Sequence, residues 1–166
     1  MFALKALTIY QPWATLLATG QKRIETRSWA TGYRGWLILH AAVKWSADLR
    51  ELSASPMFAE MLQGTPGYGS TEGTLFTESE PPAPPLGAVV GVAKLVATDS
   101  VDDPRLILSD RERELGDYSS GRWAWIFEEP IAFKNPIPIR GFQGMWNPPP
   151  TILEAALKLV RYRPQA

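Results

Sequence analysis

The chain has 166 residues, of which 45% are hydrophobic, and this is enough for one domain with a core but not comfortably for two. Its 17 basic and 17 acidic residues give zero net charge, which excludes a strongly basic protein that binds nucleic acid indiscriminately through counterion release. The chain has no cysteine and one histidine, so disulfides and thiolate metal sites are excluded, and we expect no metal and no cofactor.

The sequence also lacks the usual signs of membrane insertion or export. No run of about 18 apolar residues, the length that a transmembrane helix requires, is present. Residues 1–30 do not have the pattern of a secretory signal. We therefore expect a cytoplasmic protein that does not contact the membrane.

The charged residues are distributed unevenly along the chain. Residues 1–50 carry a net charge of +5, residues 51–120 a net charge of −8 and residues 121–166 a net charge of +3. If the two basic ends pack together, they form a basic region, and such a region attracts an anionic ligand even when the whole protein is neutral. The alternative is ordinary scatter of surface charge.

The first third of the chain predicts strands and short helices in alternation. Residues 4–10 have the β-branched and aromatic content of a strand. Pro12 suits the first position of a helix, which we expect to continue to residue 19 and to end at Gly20. Residues 22–29 are expected to be extended, and the apolar run 35–42 predicts a strand that is buried on both faces. From residue 46 the apolar spacing predicts two short helices, the second beginning at Pro56.

The last part of the chain predicts two more strands and a C-terminal helix. The strands are at residues 87–98 and 121–127, separated by a charged segment with one short helix. Residues 110–114 alternate in sign, which is typical of a solvated helix face. Prolines after residue 127 indicate an irregular stretch as far as Arg140. Thr151 and Glu154 have the spacing of a capping box, and apolar residues follow at helical intervals.

Residues 64–85 differ in composition from the rest of the chain. They contain four glycines and five prolines, which predicts a long surface loop inserted into a single domain of residues 1–166. This loop is a lid over a site, a contact for a partner, or idle. The remaining strands and short helices, without an internal repeat, favour an α+β fold built on a small mixed β-barrel.

Three segments, taken in order, carry a recognisable pattern. Residues 7–29 contain the motif Gly-x-Lys-x-x-Glu-x-Arg, formed by Gly20, Lys22, Glu25 and Arg27. Residues 33–41 contain Tyr-Arg-Gly and a strand that ends in His-Ala, and residues 123–146 contain Trp-Ala-Trp, Pro-Ile-Pro and Gly-Phe-Gln-Gly-Met-Trp. Together they resemble the ASCH domain family, a branch of the PUA-like superfamily whose core is a small β-barrel with short helices. The resemblance covers nearly the whole chain except residues 64–85.

The resemblance implies a function related to RNA or nucleosides, without fixing one activity. Related PUA-like domains bind RNA. Some small ASCH proteins hydrolyse the acetamide of N4-acetylcytidine, and others have been assigned ribonuclease activity. A shared fold does not choose among these functions.

Lys22, Glu25 and Arg27 are the central candidates for a site. At the mouth of a barrel cleft, the two cations would hold a phosphate or polarise a carbonyl, and Glu25 would accept a hydrogen bond from a base amino group or act as a general base. The alternative is a solvated strand with an ordinary ion pair. The resemblance favours a site, because these are the signature positions of the family.

A hydrolase with Lys22 and Glu25 as catalytic residues meets a specific difficulty. In the ASCH proteins with amidohydrolase activity, a threonine three positions after the lysine acts as the nucleophile, and Glu25 occupies that position here. Thr26 is adjacent, but in a strand its side chain points to the opposite face. The threonine mechanism is therefore not expected, and Glu25 would have to activate water instead.

The other candidate binding residues come from the same three segments. Four tryptophans are candidates for stacking on a base: Trp13, Trp29, Trp125 and Trp146. We expect one or two of them, Trp13 first, to line the cleft and the others to belong to the core. Gln11, beside Pro12, would read a base edge through its amide. His40 ends a buried strand and is either a cleft residue or a satisfied structural donor. The remaining candidates are two arginines that precede glycines and two tryptophans: Arg34, Arg140, Trp125 and Trp146.

These observations predict a domain that binds RNA or a modified nucleoside in a cleft. The zero net charge favours a short ligand over a long duplex. One alternative is a hydrolase that acts on an acylated nucleoside or on RNA, in which Lys22 would stabilise the oxyanion and Glu25 would transfer the proton. The other is a protein-interaction module in which residues 64–85 make the contact.

Overall fold

A single mixed sheet organises the described residues, 4–69 and 82–162, in a computed structural model. Its strands are β1 (Lys5–Ile9), β2 (Ile24–Arg27), β3 (Gly35–Ala41), β4 (Ala88–Ser100), β5 (Trp123–Pro138) and β6 (Met145–Trp146). The helices are α1 (Trp13–Ala18), α2 (Ala47–Ala54), α3 (Pro56–Leu62), α4 (Asp110–Glu114) and α5 (Pro150–Arg161). The strand order is β2-β5-β4-β3-β1-β6. β1 and β3 run parallel, and the other neighbouring strands are antiparallel.

The sheet is rolled into a partly closed barrel. Arg27, on edge strand β2, donates a hydrogen bond from Nη2 to the carbonyl oxygen of Thr8 on β1 at 2.7 Å. In a flat sheet these two strands would lie four spacings apart, about 19 Å, which an arginine side chain does not span. The curl therefore brings β2 back towards β1. This confirms the predicted α+β barrel with short helices and a C-terminal helix.

Both faces of the sheet are buried, as the apolar run in β3 predicts. Leu37 and Leu39 pack in the cluster that contains α1, on the inner side of the curl. Ile38 points to the other face and packs in the cluster with Ile152 of α5. Close approach of α1 to β4 depends on Gly91, since a Cβ there would lie only 2.9 Å from the Cβ of Ala18.

The expectation that β5 ends near residue 127 is wrong, because the strand continues through its prolines to Pro138. β2 pairs with residues 123–126 of β5, and the N–H of Phe127 donates to the carbonyl oxygen of Arg23 just before β2. The later residues of β5, which include its prolines, pair with β4. Prolines are tolerated on such a one-sided edge, where a missing N–H breaks no second ladder.

The predicted C-terminal helix is present, but the capping box at Thr151 is wrong. α5 begins one residue earlier, at Pro150, with Pro149 as its N-cap and no side-chain cap. Proline at the first helical position has a favourable φ and lacks a donor that would be unpaired there. Glu154 instead forms an ion pair with Lys158 at 2.9 Å, one turn further along the helix.

The structure describes only the two ends of the loop predicted at residues 64–85. These ends approach each other, since the N–H of Gly69 donates to the carbonyl oxygen of Ala83 at 3.0 Å. Residues 70–81 lie outside the described residues, so the roles predicted for the loop stay predictions. Within the described ranges, no helix is long and apolar enough to cross a membrane.

Candidate functional site

A cleft of about 780 Å³ is lined by β2 and by the segments that follow β1, β3 and β5. Its described lining residues include five cations and two carboxylates: Lys22, Arg27, Lys44, Arg122 and Arg140, with Glu25 and Asp117. Three of the cations come from the basic N-terminal segment and two from the basic C-terminal segment. The two ends of the chain therefore meet and form a basic cleft in a protein of zero net charge.

Lys22 lies on the floor of this cleft and is buried with a carboxylate partner. The residue is 1% exposed, and its Nζ lies 3.4 Å from Oε1 of Glu112 on α4. The same carboxylate accepts hydrogen bonds from the backbone N–H of Arg23 at 3.1 Å and of Ile24 at 3.0 Å. Glu112 therefore fixes the start of β2 as well as the lysine.

Glu112 is not among the predicted site residues, and the prediction of a solvated helix face at residues 110–114 is wrong for this residue. The residue is 8% exposed, whereas most of its neighbours in α4 are exposed. One signal was available in the sequence: Ser109 lies three positions earlier, and its Oγ accepts from the N–H of Glu112 at 3.1 Å. That spacing predicts the start of a helix, but not that the carboxylate turns inward to Lys22.

Burial changes the ionisation of the two motif residues in opposite directions. It lowers the pKa of Lys22, although the negative charges of Glu25 and Glu112 oppose the change. It raises the pKa of Glu25, although Arg27, Lys22 and Arg122 oppose the change. The pKa values of Lys22 and Glu25 are thus displaced towards each other, and both residues line one cleft. This pattern is typical of functional sites and also of buried ion-pair networks.

Two arginines on the cleft wall are held by contacts within the protein. Besides its bond to the carbonyl of Thr8, Arg27 places Nε 3.4 Å from Oε1 of Glu25. Arg122 donates from Nη2 to the carbonyl oxygen of Thr26 at 2.9 Å and lies 3.6 Å from the carboxylate of Asp117. These contacts fix the positions of both guanidinium groups.

His40 is a cleft residue whose ring nitrogens are both engaged. Its Nε2 lies 2.9 Å from the carbonyl oxygen of Ile139, so Nε2 carries the proton. Nδ1 then accepts from the Thr8 hydroxyl at 3.2 Å, and that oxygen accepts from Nε1 of Trp146 at 3.0 Å. A Cβ at Gly141 would overlap the imidazole ring, so the close contact requires glycine. The geometry is that of a satisfied structural donor.

Six of the eleven candidate binding residues line the cleft: Trp13, Lys22, Glu25, Arg27, His40 and Arg140. Gln11 does not line it, because its amide is buried and bonded to Thr15 and to the carbonyl oxygen of Pro85. Arg34 bonds to nearby carbonyl groups away from the cleft.

The other three candidates also lie outside the cleft lining: Pro12, Trp125 and Trp146. Pro12 is buried, and its bond to Gln11 is cis. Trp125 is 0% exposed and belongs to the core. Trp146 supports the cleft from behind, with its ring 5.6 Å from that of His40.

Three aromatic residues that the cleft exposes are not among the eleven predicted binding residues, although one of them, Trp29, belongs to the four tryptophans considered for stacking. Tyr10 is 48% exposed, Trp29 is 36% exposed and Phe142 is 56% exposed. Trp29 is packed edge-on against buried Trp125, with ring centroids 4.6 Å apart. Alternation within a strand does not identify these residues, because each lies just beyond the end of a strand or in a connecting segment.

The rolled mixed sheet and its basic cleft define an open β-barrel domain of the α+β class. The chain belongs to the ASCH domain family, whose model matches residues 7–137. Among the residues described, no group of three or more His, Asp or Glu side chains is placed to hold a metal ion.

The proteins that resemble the chain include two curated relatives and a solved structure. It is 28% identical over 152 residues to activating signal cointegrator 1 from Homo sapiens, and 28% identical over 152 residues to the protein of that name from Mus musculus. The match covers 92% of this chain but 23% of each relative, so the chain spans about a quarter of their length. The crystal structure of ASCH from Zymomonas mobilis has a TM-score of 0.49 and 14% identity, covering 98% of this chain and 97% of that one.

The buried pair on the cleft floor predicts a large loss of stability for Glu112→Gln. The amide keeps the shape but removes the charge that faces the buried ammonium of Lys22. Removing one partner of a buried pair costs about 3–5 kcal/mol. We expect a decrease of that size in the free energy of unfolding, measured by urea denaturation. Glu114→Gln, on the exposed side of the same helix, is the control and should change stability by less than about 0.5 kcal/mol. Equal effects would contradict the pairing.

The environment of His40 predicts that it titrates below its ordinary value. Burial lowers its pKa from 6.5, while the bond to Ile139 opposes the change. At a pH between the lowered pKa and 6.5, His40 binds a proton in the unfolded chain but not in the folded chain. The residue therefore makes folding less favourable as pH falls below 6.5. Because the chain has one histidine, its imidazole NMR signals report this pKa without overlap from another histidine. A value at or above 6.5 would contradict the satisfied, buried geometry.

Proposed function

We propose that this domain binds short single-stranded RNA, or a modified nucleoside, in the cleft. The observation that carries the proposal is the combination, in one cleft, of surplus positive charge and exposed aromatic rings. Single-stranded nucleic acid is held by a positive groove that follows the phosphates and by aromatic rings on which the bases stack. Neither feature alone distinguishes RNA from another anionic or aromatic ligand.

Two further facts support this proposal. The chain belongs to the ASCH family, whose members generally bind RNA. The cleft volume of about 780 Å³ lies in the range of small-ligand sites, and the zero net charge of the chain does not favour a long duplex. A ligand of one or a few nucleotides fits both constraints.

The proposal predicts that Trp29→Ala weakens binding of a short mixed-sequence single-stranded RNA. Loss of one stacking ring costs about 1–3 kcal/mol, which is about 5- to 150-fold in Kd. The backbone carbonyl that accepts from Trp125 remains in this variant, so the fold should be retained. Fluorescence anisotropy of labelled RNA gives the affinity.

Trp45→Ala is the matched control, because Trp45 is also partly exposed but does not line the cleft. We expect the control to bind RNA as the wild type does. Unchanged affinity in both variants, or equal loss in both, would refute binding in the cleft.

A second candidate function is hydrolysis of an acylated nucleoside, and the Lys22–Glu25 arrangement favours it. Glu25 would take a proton from water, whose oxygen attacks the acetyl carbon of N4-acetylcytidine. Lys22 would stabilise the oxyanion that forms. The C–N bond then breaks, the amine nitrogen receives the proton, and cytidine and acetate leave. Thr26 does not offer a free nucleophile, since it is 6% exposed and its Oγ1 lies 3.4 Å from Nε of Arg122.

This second function predicts that purified protein releases cytidine from N4-acetylcytidine in a chromatographic assay. Glu25→Gln and Lys22→Ala should each abolish the product, whereas Thr26→Val should retain it. Circular dichroism checks that each variant is folded. Failure of the wild type to release cytidine would exclude hydrolysis of this substrate, and product that persists in Glu25→Gln would exclude this role for the glutamate.

A further inference from the structure

Three of the five cations of the cleft are already neutralised within the protein. Each has a carboxylate partner: Lys22 with Glu112 at 3.4 Å, Arg27 with Glu25 at 3.4 Å, and Arg122 with Asp117 at 3.6 Å. The deep part of the cleft is therefore polar but close to charge balance. It is suited to neutral polar groups, such as the edge of a base or a sugar, more than to a phosphate.

The other two cations, Lys44 and Arg140, have no carboxylate partner among the described residues. Each instead lies over an aromatic ring of the cleft. Nζ of Lys44 is 5.4 Å from the ring centre of Tyr10, and the guanidinium carbon of Arg140 is 5.9 Å from that of Phe142. About half of each ring side chain is exposed. These four residues form the rim of the cleft, which thus carries two pairs of a half-exposed aromatic ring and a cation without a carboxylate partner in the described ranges.

The strand register places the two pairs, Lys44–Tyr10 and Arg140–Phe142, at the same end of the sheet. β3 ends at Ala41 and β5 ends at Pro138, and both of these residues are register partners of Ala88 on β4. Two strand spacings, about 10 Å, therefore separate the two strand ends. Lys44 follows the end of β3 by three residues, and Arg140 follows the end of β5 by two. The segment after β5 folds back onto β3, because the carbonyl oxygen of Ile139 bonds to His40 and Gly141 packs on its ring. Lys44 and Arg140 therefore both border the end of β3.

We infer that the pairs Lys44–Tyr10 and Arg140–Phe142 form two nucleotide subsites, so that the ligand is a single strand of at least two nucleotides and not a free nucleoside. The inference rests on the proposed RNA-binding function and specifies its ligand. Each base packs against a ring while the phosphate beside it contacts the adjacent cation. A free nucleoside occupies one ring at most and leaves both cations without an anion.

The two subsites have a measurable electrostatic consequence. Each phosphate contact on a single strand contributes about −0.7 to the slope of log K against log salt. Because the deep cations are paired, the two rim cations supply most of this dependence. Removing both charges should lower the magnitude of the slope by about 1.4.

The test compares a short mixed-sequence single-stranded RNA with cytidine as ligands at several salt concentrations. The variants are Lys44→Gln, Arg140→Gln and their combination, and both side chains are exposed, so the fold should be retained. We expect the wild type to bind RNA at least about tenfold tighter than cytidine. The double variant should lose about tenfold in RNA affinity and most of the salt dependence, with cytidine binding unchanged. Lys134→Gln, an exposed cation outside the cleft, is the matched control and should leave RNA binding unchanged.

The outcomes separate this inference from the proposed function. If Trp29→Ala weakens RNA binding but the double rim variant does not, the cleft binds RNA and the two subsites are wrong. If cytidine binds as tightly as RNA, the ligand is a nucleoside and the subsites are again wrong. If Trp29→Ala leaves RNA affinity unchanged, binding in the cleft fails, and the inference that rests on it fails as well.

Discussion

The buried contact between Lys22 and Glu112 is the constraint on which the site depends. It joins helix α4 to the residues that begin β2, 90 positions earlier in the chain. The same carboxylate holds the backbone of Arg23 and Ile24, so β2 starts at a fixed position. Glu25 and Arg27 follow on β2, and both line the cleft. Arg27 also closes the curl of the sheet by donating a hydrogen bond to the carbonyl oxygen of Thr8. A charge pair that is costly to bury is therefore retained where it positions a cleft.

Charge balance over the whole chain conceals a local asymmetry. The N-terminal and C-terminal segments supply all the cleft cations, and the acidic middle segment supplies the partners of Lys22 and Arg122. Pairing neutralises the deep part of the cleft, whereas the rim keeps its positive charge. The arrangement favours a ligand with an uncharged part inside and an anionic part at the entrance. A nucleotide has that form, and a long duplex, with phosphates along its whole length, does not.

Much of the fold could be predicted from local patterns, but the assignment of individual side chains could not. The run that forms β3, the turn at Gly20 and the C-terminal helix follow from periodicity and backbone preference. Glu112 was missed because its helix is short and alternates in charge, and only a contact 90 residues away makes it buried. Trp125 and Trp29 look alike in sequence, yet one is in the core and the other is exposed. That difference is set by the curl of the sheet, which no local pattern encodes.

The central claim is that the basic, aromatic cleft is where RNA binds. It is tested most directly by following the seven tryptophan indole N–H signals by NMR while a short single-stranded RNA is added. Trp13 and Trp29 line the cleft, whereas Trp36, Trp45 and Trp123 do not. The account predicts that the first two signals shift with RNA and the other three remain in place. Shifts confined to Trp36, Trp45 and Trp123, or no shift at saturating RNA, would contradict it.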